Sequence, residues 1–198
     1  MRTRIRAVIP LYPVVDFVAP AETKARTRRF KPALGGFRAR KDDFLLSMTD
    51  MFSWAYVAAG QRCDHALLSP YFAAREAFPK NVFLIGCEMD LLGQEAWRMA
   101  CKLAGRKVPL VEDPMGREEP VGKGELILEG DERFAFEERV DGGIYRWLLV
   151  PDTIHGFDQK IESFADDELL QDARIKTGKV ISIIGEWLHS GPFDEVLK

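Results

Sequence analysis

Residues 82–92 read VFLIGCEMDLL and residues 145–157 read YRWLLVPDTIHGF. Each stretch opens with a short apolar run rich in branched and aromatic side chains, then turns polar within a residue or two. Continuous apolar runs, as opposed to alternating ones, suit parallel strands covered on both faces. A third run of this kind, AVIPLY at residues 7–12, carries Pro10, which marks a strand end or an irregularity because proline donates no ladder hydrogen bond. Helical patterns lie between and after these runs. Asp42–Ala59 opens with two acids and stops at Gly60, Gln94–Ala104 stops at Gly105, and a long amphipathic stretch runs from about Asp166 to His189. Arg133–Val140 and Ile144–Val150 flank Asp141-Gly142-Gly143 as a hairpin does. Strands alternating with helices predict an α/β fold, with three to four mainly parallel strands, flanking helices and a helical cap segment.

Composition agrees with a folded domain. The chain has 198 residues, 46% of them hydrophobic and 30% charged. No apolar run reaches the roughly 20 residues of a membrane-spanning helix. The basic start is followed only by a short apolar run broken by Pro10 and Pro13, with no small-residue cleavage site, so a cytoplasmic location is expected. Cys63, Cys87 and Cys101 are odd in number and match no paired metal spacing, which predicts reduced thiols. The charge is uneven. Residues 1–41 hold eleven Lys/Arg against Asp16 and Glu22, a local +9, while the remainder carries −12 and the whole chain −3. A basic block can mark a polyanion partner. Only one aromatic residue, Phe30, interleaves Lys24, Arg26, Arg28, Arg29 and Lys31, so the expectation is a solvated connection and no nucleic-acid role.

The chemistry-bearing residues follow the strands. In open α/β sheets, ligands and catalytic groups gather beyond the strand carboxyl ends. Asp90 follows the run at 82–87 and His155 the run at 145–150. A carboxylate bonded to an imidazole fixes its tautomer and stabilises imidazolium, the acid–base half of a Ser-His-Asp triad. Read alone, Asp90 is an N-cap, Glu88 is an alternative acid, and His155 is a loop histidine bonded to backbone. Asp152 and Asp158 read as turn formers. Glu95 reads as a support for the helix or a neighbouring loop, and His65 and His189 as surface or capping residues. A cysteine-histidine hydrolase built on Cys87 is the remaining alternative.

Taken in order, the fragments resemble the carboxyl-terminal part of an α/β-hydrolase of the hormone-sensitive-lipase-like esterase group. Ala7–Phe17 (AVIPLYPVVDF) resembles the strand and loop after the nucleophile helix, residues 41–59 the helical cap, and Leu68-Ser69-Pro70 the segment that returns to the sheet. Asp90-Leu91-Leu92-Gly93-Gln94-Glu95 resembles the family's D-x-L-x-x-E, whose first residue is the triad acid. Ile154-His155-Gly156-Phe157 resembles its HGF, whose histidine is the general base. The resemblance implies that residues 1–198 are the carboxyl-terminal portion of one hydrolase domain, with 16–66 as cap or lid and 113–143 as a long excursion. It implies a hydrolase of carboxylic esters acting on a small-molecule ester, with no metal and no organic cofactor. Phe44, Met48, Met51, Phe52 and Trp54 are candidates for an acyl pocket under the cap.

The family's G-x-S-x-G elbow and oxyanion loop are missing from this chain. Ser47, Ser53, Ser69, Ser163, Ser182 and Ser190 are its serines, and none is flanked by glycines two residues to either side. A truncated sequence is the simplest expectation, inactive alone, with an exposed sheet edge open to a partner or a second copy. The alternative is a non-catalytic remnant that binds a ligand or partner.

Overall fold

The computed structural model describes residues 5–43, 45–159 and 167–194. In chain order the elements are strand β1 (Ala7–Val8), helix α1 (Ala21–Thr27), helix α2 (Thr49–Tyr56), strand β2 (Asn81–Cys87), helix α3 (Gly93–Leu103), strand β3 (Ala135–Val140), strand β4 (Gly143–Val150) and helix α4 (Asp167–Ser190). The sheet order is β1-β2-β4-β3. β1 and β2 are parallel, β2 and β4 are parallel over their full lengths, and β3 is antiparallel to β4. This is the mainly parallel four-stranded sheet with flanking helices that the apolar runs require.

The alternation of side chains along a strand divides the core into two layers. Val82 and Leu84 of β2, with Tyr145, Trp147 and Leu149 of β4, pack against Trp97, Ala100, Cys101 and Leu103 of α3. Phe83, Ile85 and Cys87, with Ile144, Leu148 and Val150, pack against Ala173, Val180, Ile183 and Trp187 of α4. Both faces of β2 and β4 are therefore covered, which is why their sequences run apolar without interruption. Each fully buried large apolar side chain in these layers contributes about 1.5–3 kcal/mol.

Local chemistry sets the element boundaries. Only two residues of the run at 7–12 form regular strand. Pro10 interrupts the ladder: its carbonyl accepts from Ile85 N at 3.1 Å, but it has no N–H to return, and contact resumes where Tyr12 N donates to Ile85 O at 2.6 Å. α3 ends at Gly105, whose φ of +70° completes a Schellman motif: Arg106 N donates to Cys101 O and Gly105 N to Lys102 O. The expected start of α4 at Asp166 lies outside the described residues. Between α3 and β3 no regular element forms, and β3 with the turn into β4 takes up the last part of residues 113–143.

Two expectations are corrected. Asp42–Ala59 is not one helix. It holds a 3-10 turn at Leu46–Met48 and the eight residues of α2, none of them buried. Asp43 is drawn into a buried ion pair, and a helix without a buried face gains little from packing. The basic block is not a solvated connection either. Lys24, Arg28, Lys31 and Arg38 are all buried. Lys24 pairs with Glu95. Arg28 meets Asp43 at 3.0 Å, and Arg38 meets Asp172 at 3.3 Å. Lys31 Nζ lies 2.8 Å from Glu88 Oε2 and 2.6 Å from Asp152 Oδ1. Among the described residues, no helix is long and apolar enough to cross a membrane.

Removing one member of a buried ion group leaves uncompensated charge, at a cost of about 3–5 kcal/mol. Lys31→Met strands Glu88 and leaves Asp152 with only Lys176, 3.9 Å away, and is expected to lower unfolding stability by about that amount. Urea denaturation measures it, and a loss below about 1 kcal/mol would show that the cluster is not needed for stability.

Candidate active site

Beyond the carboxyl ends of β2 and β4 the chain makes two tight loops. After β2, Glu88 N donates to Val150 O at 3.1 Å and Met89 N to Thr153 O at 2.9 Å, so the two loops are hydrogen-bonded to one another. Asp90 stands at the turn into α3. Its Oδ1 accepts from Leu92 N at 3.0 Å and its carbonyl from Gly93 N at 3.1 Å. Gly93 is required there, because a Cβ would come within 2.2 Å of Met115 Cε and 2.7 Å of Cys87 O. The second carboxylate oxygen, Oδ2, lies 2.8 Å from His155 Nδ1. Asp90 thus shapes the turn before α3, whose N-cap is Leu92, and is the partner of His155 at once. Its carboxylate is fully buried, whereas the imidazole is 24% exposed.

Electrostatics favour the charged imidazole. Burial by itself pushes His155 down, but the hydrogen bond and charge of Asp90, with Asp43 and Asp158 behind it, outweigh burial and hold the imidazole above its ordinary range. Tyr12 supports the ring from the β1 side, edge to face at 4.5 Å between centroids. Its hydroxyl donates to Asp158 Oδ1 at 2.7 Å and accepts from Gln159 Nε2 at 3.1 Å. Burial, with Asp158 adding to it, drives the Tyr12 phenol upward, so it stays a neutral donor. Tyr12 adopts φ of +38°, a sparsely populated region for a side-chain-bearing residue. Such strain collects at functional sites.

The other acids have different duties. Glu88 Oε2 accepts from Asp152 N at 2.8 Å and pairs with Lys31, while Oε1 accepts from Arg117 N at 2.7 Å. Asp152 sits in a turn with φ of +59°, as expected of a turn former, but it is also a buried member of the Lys31 group and accepts from Val121 N at 2.9 Å. Asp158 holds the Tyr12 hydroxyl, so its part goes beyond shaping a turn. Glu95 Oε1 accepts from Val15 N at 2.8 Å and supports the loop after β1. Burial, offset by Lys24, pushes Glu95 up to about 7. His189 bonds Gly185 O, and His65 Nδ1 accepts from Leu67 N.

The nucleophile candidates are accounted for in turn. Ser69 is buried, donating to Cys63 O and accepting from Phe17 N. Ser182 and Ser190 donate back to the carbonyls of Gly178 and Glu186 within α4. Ser47 lies in the 3-10 turn at Leu46–Met48, Ser53 lies on α2, and Ser163 falls outside the described residues. Burial, reinforced by Asp90, drives the Cys87 thiol well up, which removes the thiolate a cysteine nucleophile needs. Of the proposed acyl-pocket residues, Phe44 lies outside the described residues. Phe52 packs with Leu45, Leu91 and Leu92 beside Asp90. Met48 is half-buried, Met51 is exposed, and Trp54 is 85% exposed. A cleft of about 690 Å³ lies between residues 26–33 and 112–120, and none of the other four lines it. Among the described residues, no group of three or more His, Cys, Asp and Glu side chains is gathered as a metal ion would need.

Sequence reasoning passed over Tyr12, Arg28 and Asp43. Tyr12 was hidden in an apolar run and Asp43 in an apparent helix start. Arg28 belonged to a basic block whose partners are far away in the chain.

No family model matches the chain, and no curated protein matches it. Among solved structures it is similar to an alpha/beta hydrolase enzyme from the metagenome of Lake Arreo, Spain, crystallised as a serine-to-alanine mutant, with 17% identity and a TM-score of 0.45. The similarity covers 86% of this chain and 39% of that one, so the chain spans well under half the length of that structure.

With the native imidazole raised, its bond to Asp90 stabilises the fold fully below the unfolded histidine value of about 6.5, and that contribution disappears as pH climbs through the native value. Asp90→Asn keeps the burial but removes the charge. The His155 titration midpoint should then fall below about 6.5, with a stability loss of about 1–3 kcal/mol at pH 6. Histidine NMR titration and denaturation at two pH values measure both effects, and an unmoved midpoint would refute the pairing.

Proposed function

We propose that these residues carry the acid–base half of a carboxylic ester hydrolase of the α/β-hydrolase fold, in the hormone-sensitive-lipase-like group. The observation that carries this reading is the 2.8 Å contact between Asp90 Oδ2 and His155 Nδ1, made from loops beyond the carboxyl ends of two adjacent parallel strands. The D-x-L-x-x-E and HGF patterns around these two residues support it.

The chemistry follows from the geometry. With Nδ1–H donating to Asp90, the other ring nitrogen, Nε2, is left as the base. It takes the proton of a serine hydroxyl as that oxygen attacks the ester carbonyl, then returns it to the departing alcohol. Asp90 keeps the ring oriented and stabilises the imidazolium between the two transfers. The serine and the donors for the oxyanion belong to residues outside these 198. In this reading, residues 1–198 are the carboxyl-terminal portion of one hydrolase domain. Residues 16–66 are its cap and residues 113–143 the excursion between acid and histidine. The substrate is a small-molecule ester and no cofactor takes part.

The test uses the protein isolated from its source and a fluorophosphonate probe. A serine outside these 198 residues should label, and His155→Ala should slow ester hydrolysis by about 10³-fold or more. The 198-residue chain alone should neither label nor hydrolyse p-nitrophenyl esters above the buffer rate. Labelling that survives His155→Ala undiminished would overturn the proposal. Complete absence of labelling in the source protein would do the same, and would favour a partner-binding module without chemistry.

A further inference from the structure

Arg28 and Asp43 grip the chain on either side of Asp90. Arg28 Nε donates to Met89 O at 2.7 Å, and Asp43 Oδ2 accepts from Leu91 N at 3.1 Å. Between them, Arg28 Nε meets Asp43 Oδ2 at 3.0 Å, with both side chains almost wholly buried. Arg28 is anchored further by donating from Nη1 to Arg40 O at 2.8 Å, and Asp43 by accepting at Oδ1 from Leu45 N at 2.9 Å. A guanidinium is therefore held one residue from the carboxylate that serves His155. In a buried site a cation so close is a competitor. Left unpaired, it would take Asp90 as its counter-ion, because an uncompensated buried charge is costly and a carboxylate is its best partner.

Resting on the reading of Asp90 and His155 as the acid–base pair, we propose that Asp43 is a positioning residue. By pairing with Arg28 it keeps that cation off Asp90 and leaves the Asp90 carboxylate to the imidazole. The charged and titratable groups around the pair fit this role. His155 is faced by Asp90, by the Tyr12 ring with the Asp158 carboxylate on its hydroxyl, and by Asp43 from the cap segment. The field at Arg28 comes from Asp43 first, then Asp90 and Asp42. Burial pushes the Asp43 carboxyl up, and the nearby Asp90 charge adds to that, while Arg28 and the amides of Leu45 and Leu91 hold it down. The Cys87 thiol completes the surroundings and stays protonated. On this proposal Arg28 and Asp43 act on His155 with opposite signs. A merely structural clamp has no such sign, because loosening it from either side would weaken the Asp90–His155 contact alike.

The experiment is a histidine NMR titration of the full 198-residue chain and its variants, with His65 and His189 as internal references and His155 assigned by His155→Gln. Asp43→Asn leaves Arg28 seeking Asp90, and the His155 midpoint should fall by about one unit, a tenfold drop in proton affinity. Arg28→Met removes the competitor and leaves Asp43 in place, so the midpoint should rise. The double variant should return close to the parent value. Both single variants shifting the same way, or an unmoved midpoint in Asp43→Asn, would overturn the proposal. If Asp43→Asn fails to fold, Arg28→Met decides alone: a rise supports the proposal, and a fall or no change overturns it. Ester hydrolysis plays no part in this readout. Loss of the hydrolase reading and loss of this one are therefore separate results.

Discussion

The ammonium of Lys31, fully buried between Glu88 and Asp152, is the interaction on which the rest of the site depends. Glu88 is the first residue past β2, and Asp152 is two residues past β4. A single cation thus ties the carboxyl ends of the two central strands together and docks the residue 24–41 segment onto them. Taking three charges out of water costs several kcal/mol for each ion unless their geometry and hydrogen bonds compensate. Here the remaining lone pairs are used by the amides of Asp152, Arg117 and Val121. Lys176 extends the group through Asp172 to Arg38. Asp90 and His155 sit only two or three residues beyond these fixed points. Neither lies in a regular element, yet their side chains are held at hydrogen-bond distance.

The sheet was legible because burial on both faces leaves a one-dimensional mark. The runs at 82–87 and 145–150 could hardly be anything but covered strands. The helix at 93–103 announced its end with Gly105. Legibility failed where the deciding contact is remote. Lys31 lies 57 residues from Glu88 and 121 from Asp152, and Arg38 lies 134 from Asp172. A sequence displays such charges without their partners, so four buried cations looked like a solvated block. The stretch at 42–59 failed for a related reason. Its composition favours a helix, but Asp43 bonds outward to Arg28 and to the Leu91 amide. Of the apolar side chains of α2 only Phe52 is half-buried, against Leu45, Leu91 and Leu92, and the helix shortens to eight residues.

The site divides in the same way. Asp90 and His155 could be singled out by their place after strands and by the short patterns around them. Tyr12 could not, because a tyrosine in an apolar run carries no sign of a left-handed backbone or of an imidazole against its face. Arg28 and Asp43 flank Asp90 only after folding. The chemistry of the first pair was local enough to read, while its electrical surroundings were assembled from distant segments. Much of that surrounding charge comes from the residues between β1 and α2, which contribute no strand to the sheet.

The four tryptophans are distributed unevenly between the two parts of the molecule. Trp97, Trp147 and Trp187 lie in the layers on either side of the sheet, at 8%, 0% and 2% exposure, whereas Trp54 on α2 stands 85% exposed. Indole emission shifts to the red in water and to the blue in an apolar interior. The chain therefore carries two optical signals of different colour. The blue one reports the sheet and its helices. The red one, open to a dissolved quencher, reports α2 alone, so that helix can be followed by its own light while the core stays dark to the quencher.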